Sequence, residues 1–325
     1  KKLASLKRKP RQECIHIDSI VPSFSQMGGG RYKILYTTVE SYTVPDQFIE
    51  ATKNYNEIWV VSDFCKEILE KQGVERDIFV LPDSLNVNLY CEEGDRFTFR
   101  PELHDFIFLS VFGWSYRKGY DVLLKAYLSE FSGKDLVSLL IVSRFNNNPK
   151  QDNVIKKEVE KFIKAHGGHD PPHIARCSKV VPEYLMPNLY RSCDAFVLFS
   201  RAEAYCLPYC ESSLCGLPVI GTNCSGQTMF VNHNNSSLLD IDFIEKLQPG
   251  RTHVHYWDLQ KVPAFTSSKS IRKAGQLMRA VFEDYDKAKK KNKKLQRFVA
   301  KNYSIDTVAK MALKRLEKIW HANFT

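Results

Sequence analysis

The sequence predicts an α/β protein of two doubly wound domains, and three observations predict it. The chain has 325 residues, too many for one ordinary core and suited to two. Short apolar, β-branched runs alternate with helical patterns for most of its length, and strands apolar throughout belong to parallel sheets covered on both faces. The alternation then pauses once, at 83–104 (DSLNVNLYCEEGDRFTFRPELH), a polar, turn-rich stretch that reads as an interdomain linker.

Taken in order, the strand expectations are 14–17, 33–37, 57–61, 78–81, 106–111, 138–142, 195–199 and 218–221. The helix expectations include 46–52, 62–71, 119–131, 154–166, 182–191, 208–215, 270–283 and 307–320. The expected domains are 1–98 and 99–305, with a terminal helical segment at 306–325. The first block holds four strands in about a hundred residues, small for a complete doubly wound domain. The chain also starts Lys1-Lys2-Leu3, without a Met. Together these suggest that its N-terminal part is missing.

Composition is that of a globular protein, 43% apolar and 26% charged. No apolar run approaches the roughly 20 residues that span a bilayer. The nine cysteines are scattered, with no CxxC pair and no His/Cys cluster at metal-ligand spacing. Buried free thiols in a reducing, cytoplasmic compartment explain them better than disulfides. The net charge of +10 is concentrated in 1–11 and in 287–297 (KAKKKNKKLQR). Either a solvated helix face or a surface for nucleic acid or anionic lipid accounts for the second run. No aromatics interleave its lysines, which argues against base stacking.

The chemistry concentrates in 196–240. An apolar strand ends at Ser200, a loop runs from Arg201 to Leu207, and Pro208 suits the first turn of a helix. Glu203 lies in the loop beyond a strand's carboxyl end, where open α/β sheets bind ligands. Glu211 is expected in the first turn of the helix, where free N–H groups and the dipole favour an anion. Spacing alone leaves two readings: acids facing one pocket, or an ordinary loop acid and an ordinary helix acid.

The segment EAYCLPYCESSLCGLPVIGTNCSGQTMFV resembles the donor-site signature of the group 1 (family 4) glycosyltransferases of the GT-B fold. That signature has an acidic loop residue, seven intervening residues and a second Glu, followed by GLPVIGT. FLSVFGWSYRKGYDVLLKA (108–126) is similar to the opening strand, loop and helix of the same domain. YTTVESYTVPDQFIEATKNYNEIWVVSDFCKEILEKQGV (36–74) and PEYLMPNLYRSCDAFVLFS match in the family's order. The resemblance implies two Rossmann-like domains facing across a cleft, with the C-terminal helix crossing back. It implies transfer of a hexosyl unit from a nucleotide diphosphate sugar, GDP- or UDP-linked, to a glycan, glycoprotein or lipid-linked acceptor. Retention of configuration, no required cofactor and no metal belong to the same expectation.

Residue by residue, Arg117 and Lys118 map onto the family's phosphate-binding pair, where a nucleoside diphosphate leaves and its charge must be stabilised. Glu211 is carried over as the ribose ligand and Glu203 as the acid beside the donor sugar. Backbone N–H groups around Cys206 and Leu207 would face the sugar or diphosphate. His16 matches an N-domain histidine beside the sugar, with a structural histidine as the alternative. Glu40 would face the acceptor cleft or cap the next helix. The loop departs from the family: Glu203-Ala204-Tyr205-Cys206 stands where Glu-Gly-Phe-Gly is usual. That departure keeps a second function open, a catalytically silent relative that binds sugar or scaffolds a partner. Peripheral contact with an anionic membrane, and no nucleic acid, complete the expected partners.

Overall fold

The computed structural model describes residues 14–20, 29–99, 103–144, 152–245 and 262–324. The charged segment 1–11, Gly28 and most of the loop after residue 144 lie outside them. Two parallel sheets organise the chain. The first has the order β1-β2-β3-β4, from β1 (Ile15–Ser19), β2 (Tyr32–Thr37), β3 (Glu57–Val60) and β4 (Asp77–Val80). Helix α1 (Asp46–Thr52) connects β2 to β3, and α2 (Asp63–Lys71) connects β3 to β4. The Ser62 hydroxyl starts α2 by accepting the Cys65 N–H at 3.2 Å, which satisfies one of the orphan donors of a helix N-terminus.

The second sheet has six strands: β5 (Phe106–Gly113), β6 (Val137–Arg144), β7 (His173–Cys177), β8 (Ala195–Leu198), β9 (Val219–Thr222) and β10 (Ser237–Leu239). Its order is β10-β9-β8-β5-β6-β7, with every pair parallel. Renumbered within the sheet this is 3-2-1-4-5-6 read from the β7 edge, the doubly wound dinucleotide-binding order. The order reverses between β5 and β8, so the crevice of the second domain opens beyond their carboxyl ends. Helices α3 (Tyr120–Glu130), α4 (Asp152–His166), α5 (Met186–Arg191) and α6 (Leu207–Leu214) are the crossovers. An antiparallel ribbon of β11 (Phe243–Glu245) and β12 (Val262–Ala264) follows.

Three helices end the chain: α7 (Ser268–Glu283), α8 (Tyr285–Asn302) and α9 (Ile305–Asn323). The lysine-rich run forms α8. It buries Ala288, Asn292, Leu295 and Val299 along one stripe and exposes all its lysines but Lys291, which is half-buried and donates to Ser236 O at 3.0 Å. Buried Asn292 is satisfied by Ser213, whose hydroxyl donates to Oδ1 at 2.8 Å and whose carbonyl accepts from Nδ2 at 3.1 Å. Helix α9 packs against the first sheet. Ile319 packs with Ile34 and Trp59, and Arg315 Nε donates to Glu57 at 2.7 Å.

The linker is tighter than its polar sequence suggests. Leu85 and Tyr90 are buried. Leu85 N–H donates to Tyr303 O at 2.9 Å, and Ile305 N–H donates to Leu85 O at 3.1 Å. The chain's two crossings between domains therefore run side by side and bond each other. Among the described residues no helix is long and apolar enough to cross a membrane.

Candidate functional site

β5 delivers the first part of the site. Beyond Gly113 the chain makes a 3-10 turn, Tyr116–Lys118, closed by Gly119 at φ 69°. A Cβ at Gly119 would lie 1.8 Å from the Phe199 carbonyl oxygen, so only glycine fits both the backbone and the space. β8 delivers the second part, and the two loops are laced together. Arg201 N–H donates to Arg117 O at 2.7 Å, and Ser200 Oγ donates to the same oxygen at 3.2 Å. The fully buried Arg201 side chain holds Asp121 by two bonds of 2.7 and 2.9 Å and lies 3.7 Å over the Tyr116 ring. Sequence reasoning did not single out Arg201 or Asp121, because nothing in their spacing announces a contact across 80 residues.

Arg117, Lys118 and Glu203 come together at this switch point. Lys118 Nζ reaches both Glu203 oxygens, at 2.6 and 2.8 Å. Arg117 Nη1 donates to Ala202 O at 2.6 Å and lies 3.4 Å from Glu203 Oε2. Burial pushes the Glu203 carboxyl up, but Lys118 and Arg117 outweigh it and hold it below the usual carboxylate range. Burial acts against the Arg117 charge too, and Glu40 and Glu203 reverse its effect and raise the guanidinium. Glu40 joins from the first domain: its Oε1 is 3.3 Å from Arg117 Nη1, across the cleft. It does not cap the next helix, since α1 is preceded by Pro45 and has no side-chain cap.

The loop keeps glycine-like geometry without its glycines. Cys206 adopts φ 81° and ψ 64°, the left-handed region, and starts α6 with Pro208 close behind. Gly226 N–H donates to Glu203 O at 2.8 Å, and a Cβ there would meet Ala204 O at 1.8 Å. Ser225, itself at φ 52°, accepts the Glu203 N–H through its hydroxyl at 3.1 Å. Leu207 packs partly buried against the core.

Two expectations are corrected. Glu211 is the fifth residue of α6 and stands in its second turn, because the helix begins at Leu207. The dipole of the first turn therefore does not act on it. It binds Tyr190 OH at 2.7 Å, and burial raises its carboxyl although the Tyr190 and Tyr90 hydroxyls pull it down. His16 is the second residue of β1, level with Lys33 near the amino end of β2. Glu40 follows the opposite, carboxyl end of β2, so β1 carries His16 away from the cleft cluster. Its Nε2 pairs with Asp18 at 2.8 Å, and Asp18 also accepts Tyr55 OH at 2.9 Å.

Among the described residues, no group of three or more His, Cys, Asp or Glu is placed to hold a metal ion. None of the nine cysteines forms a disulfide, and six are buried.

The two parallel α/β domains, with paired cations at the switch point of the second, share the GT-B fold of the solved structures they resemble. Residues 104–247 match the family model described as glycosyl transferases group 1. A mannosylfructose-phosphate synthase of Agrobacterium fabrum is 24% identical over 185 residues, which cover 54% of this chain and 39% of that protein. The matched stretch thus spans about two-fifths of that relative. Sucrose-phosphate synthase from Thermosynechococcus elongatus superposes with a TM-score of 0.66 at 15% identity, covering 91% of this chain and 69% of that one. Anabaena HepE in complex with UDP and glucose gives 0.62 at 15%, covering 88% and 72%. TarM of S. aureus, in a complex that includes UDP, gives 0.66 at 13%, covering 97% and 57%.

Proposed function

We propose that this chain transfers a hexosyl unit from a nucleoside diphosphate sugar to a hydroxyl acceptor. The single observation that carries the proposal is the cluster of Arg117, Lys118 and Glu203 beyond β5 and β8. A diphosphate leaving group needs fixed positive charge in a site that excludes bulk water. Arg117 offers a planar fork and Lys118 a compact point charge. Glu203, held ionised beside them, suits the hydroxyls of the donor sugar. Glu211, two turns along the same loop and helix, suits the ribose. The family and the UDP-bound neighbours support a nucleotide-sugar donor.

Retention of configuration and independence from metal belong to this proposal. The two cations take the role that a divalent ion plays elsewhere, so turnover is expected to survive EDTA. The acceptor is a glycan or another hydroxyl compound entering from the Glu40 side. The unbridged cysteines support a reducing compartment. The exposed lysines of α8, beside the 41% exposed Phe298, suit peripheral contact with anionic lipid better than nucleic acid.

Release of nucleoside diphosphate from a panel of UDP- and GDP-sugars tests the reading. Wild type should release it, and Lys118→Ala and Glu211→Ala should lower the rate at least about a hundred-fold, the scale of losing one charge-stabilising donor. Equal rates in all three proteins would refute the site.

A further inference from the structure

We infer that Glu40 occupies the diphosphate's place while the donor is absent, and that donor binding displaces it. The inference rests on the donor site proposed above. Two cations and two carboxylates meet there: Arg117 and Lys118 against Glu203 and Glu40. The cluster of these four side chains is therefore neutral, although a diphosphate site needs net positive charge. One carboxylate has to yield before a diphosphate can settle on both cations.

Geometry identifies which one yields. Glu203 is 4% exposed and binds Lys118 through both oxygens. Its own backbone is fixed, with the N–H on Ser225 Oγ and the carbonyl on Gly226 N–H. The Glu40 side chain is 33% exposed and touches Arg117 with one oxygen at 3.3 Å. It is the weaker and wetter of the two contacts.

Arg117 also carries an unused donor. Its Nε is buried and has no hydrogen-bond partner, although Arg117 is only 9% exposed. Buried unsatisfied donors are rare in folded proteins and mark a place for a ligand acceptor. A single Glu40 oxygen leaves that Nε–H unmet. A diphosphate brings several acceptor oxygens to the same guanidinium and meets it. Because Glu40 follows β2 of the first domain and Arg117 follows β5 of the second, the exchange also breaks an ion pair across the cleft. Glu40 is then free to face the acceptor. Donor arrival and opening of the acceptor side become one event.

The experiment compares wild type, Glu40→Gln and Lys118→Ala by calorimetric titration with UDP, GDP, inorganic pyrophosphate and the nucleosides uridine and guanosine. Glu40→Gln should bind the preferred diphosphate about ten-fold more tightly, and pyrophosphate more tightly too, with nucleoside affinity unchanged. Ten-fold corresponds to about 1.4 kcal/mol. A Glu40→Gln protein whose diphosphate affinity is equal to or weaker than wild type overturns the inference. So does a gain that extends equally to the nucleosides, because that is general loosening. If wild type and Lys118→Ala bind diphosphate alike, the donor site itself is wrong and the inference goes with it. If Lys118→Ala loses binding while Glu40→Gln matches wild type, the donor site stands and only the displacement fails.

Discussion

Glu211 and Glu203 are both buried acids, and their surroundings push them in opposite directions. Glu203 has two cations and stays ionised below its usual range. Glu211 meets two phenols and the nearby Glu183 carboxylate but no cation, and burial raises it from its ordinary value of 4.5. A carboxyl raised in the folded state binds its proton more tightly there than in the unfolded chain. Stability therefore falls as pH rises from about 4.5 through the raised folded value, and the loss is complete above it. Glu211→Gln removes that loss. The variant should melt at a higher temperature than wild type at pH 7.5, with the gap closing towards pH 4, while donor affinity drops. Melting curves of both proteins across this range, with and without UDP or GDP, check it. A gap of the same size at every pH would show that the charge is not the cause. A buried acid that costs stability fits the trade expected at a binding site, in line with the donor role proposed for Glu211. Cys206 shows another such cost, since a non-glycine residue held at φ 81° is strained.

At the scale of elements, the site depends on two strand-to-helix turns that lock each other. Gly119 is the pivot, because it combines φ 69° with contact against Phe199 O. Gly119→Ala should cost roughly 3 kcal/mol of stability and weaken diphosphate binding, since the turn carrying Arg117 and Lys118 must shift. Urea unfolding and titration with pyrophosphate measure both, and a loss below about 1 kcal/mol would remove Gly119 from this role. The same elements show what a sequence can disclose. β3 (EIWV) and β8 (AFVL) are buried along their whole length, so the apolar runs IWV and AFVL were plain. β7 (HIARC) is an edge strand, half-buried throughout, and its mixed composition hid it. Helix α8 was legible only as a lysine run, because its buried stripe has just four residues and one of them is Asn292. Arg117, Lys118 and Glu203 were legible through motif order. Their pairing with Glu40, and the lacing by Arg201, depend on tertiary contacts that no local pattern encodes.

At the scale of the molecule, the first sheet is completed by the end of the chain. Glu57 is fully buried in β3, and its carboxylate takes three donors: Trp59 Nε1 and Arg315 Nε at 2.7 Å, and Tyr32 OH at 3.0 Å. Arg315 alone brings positive charge, and it comes from α9, more than 250 residues away. Removing one partner of a buried pair strands the other charge, at a cost of about 3 kcal/mol or more. Trp59 and Tyr32 stay in place, so the low end of that range is expected. Arg315→Met keeps most of the packing while losing the charge, which isolates the electrostatic part. Glu57→Gln in the same chain should recover most of the loss at neutral pH. Urea unfolding of the three proteins at pH 7.5 decides the matter. Hydrogen exchange adds the location: the amides of β2 and β3 should lose protection in Arg315→Met, and those of β5 and β8 should keep theirs. Equal loosening of both sheets would mean that α9 acts as a general brace. A loss confined to the first sheet means that the last helix supplies the charge which lets β3 bury its acid.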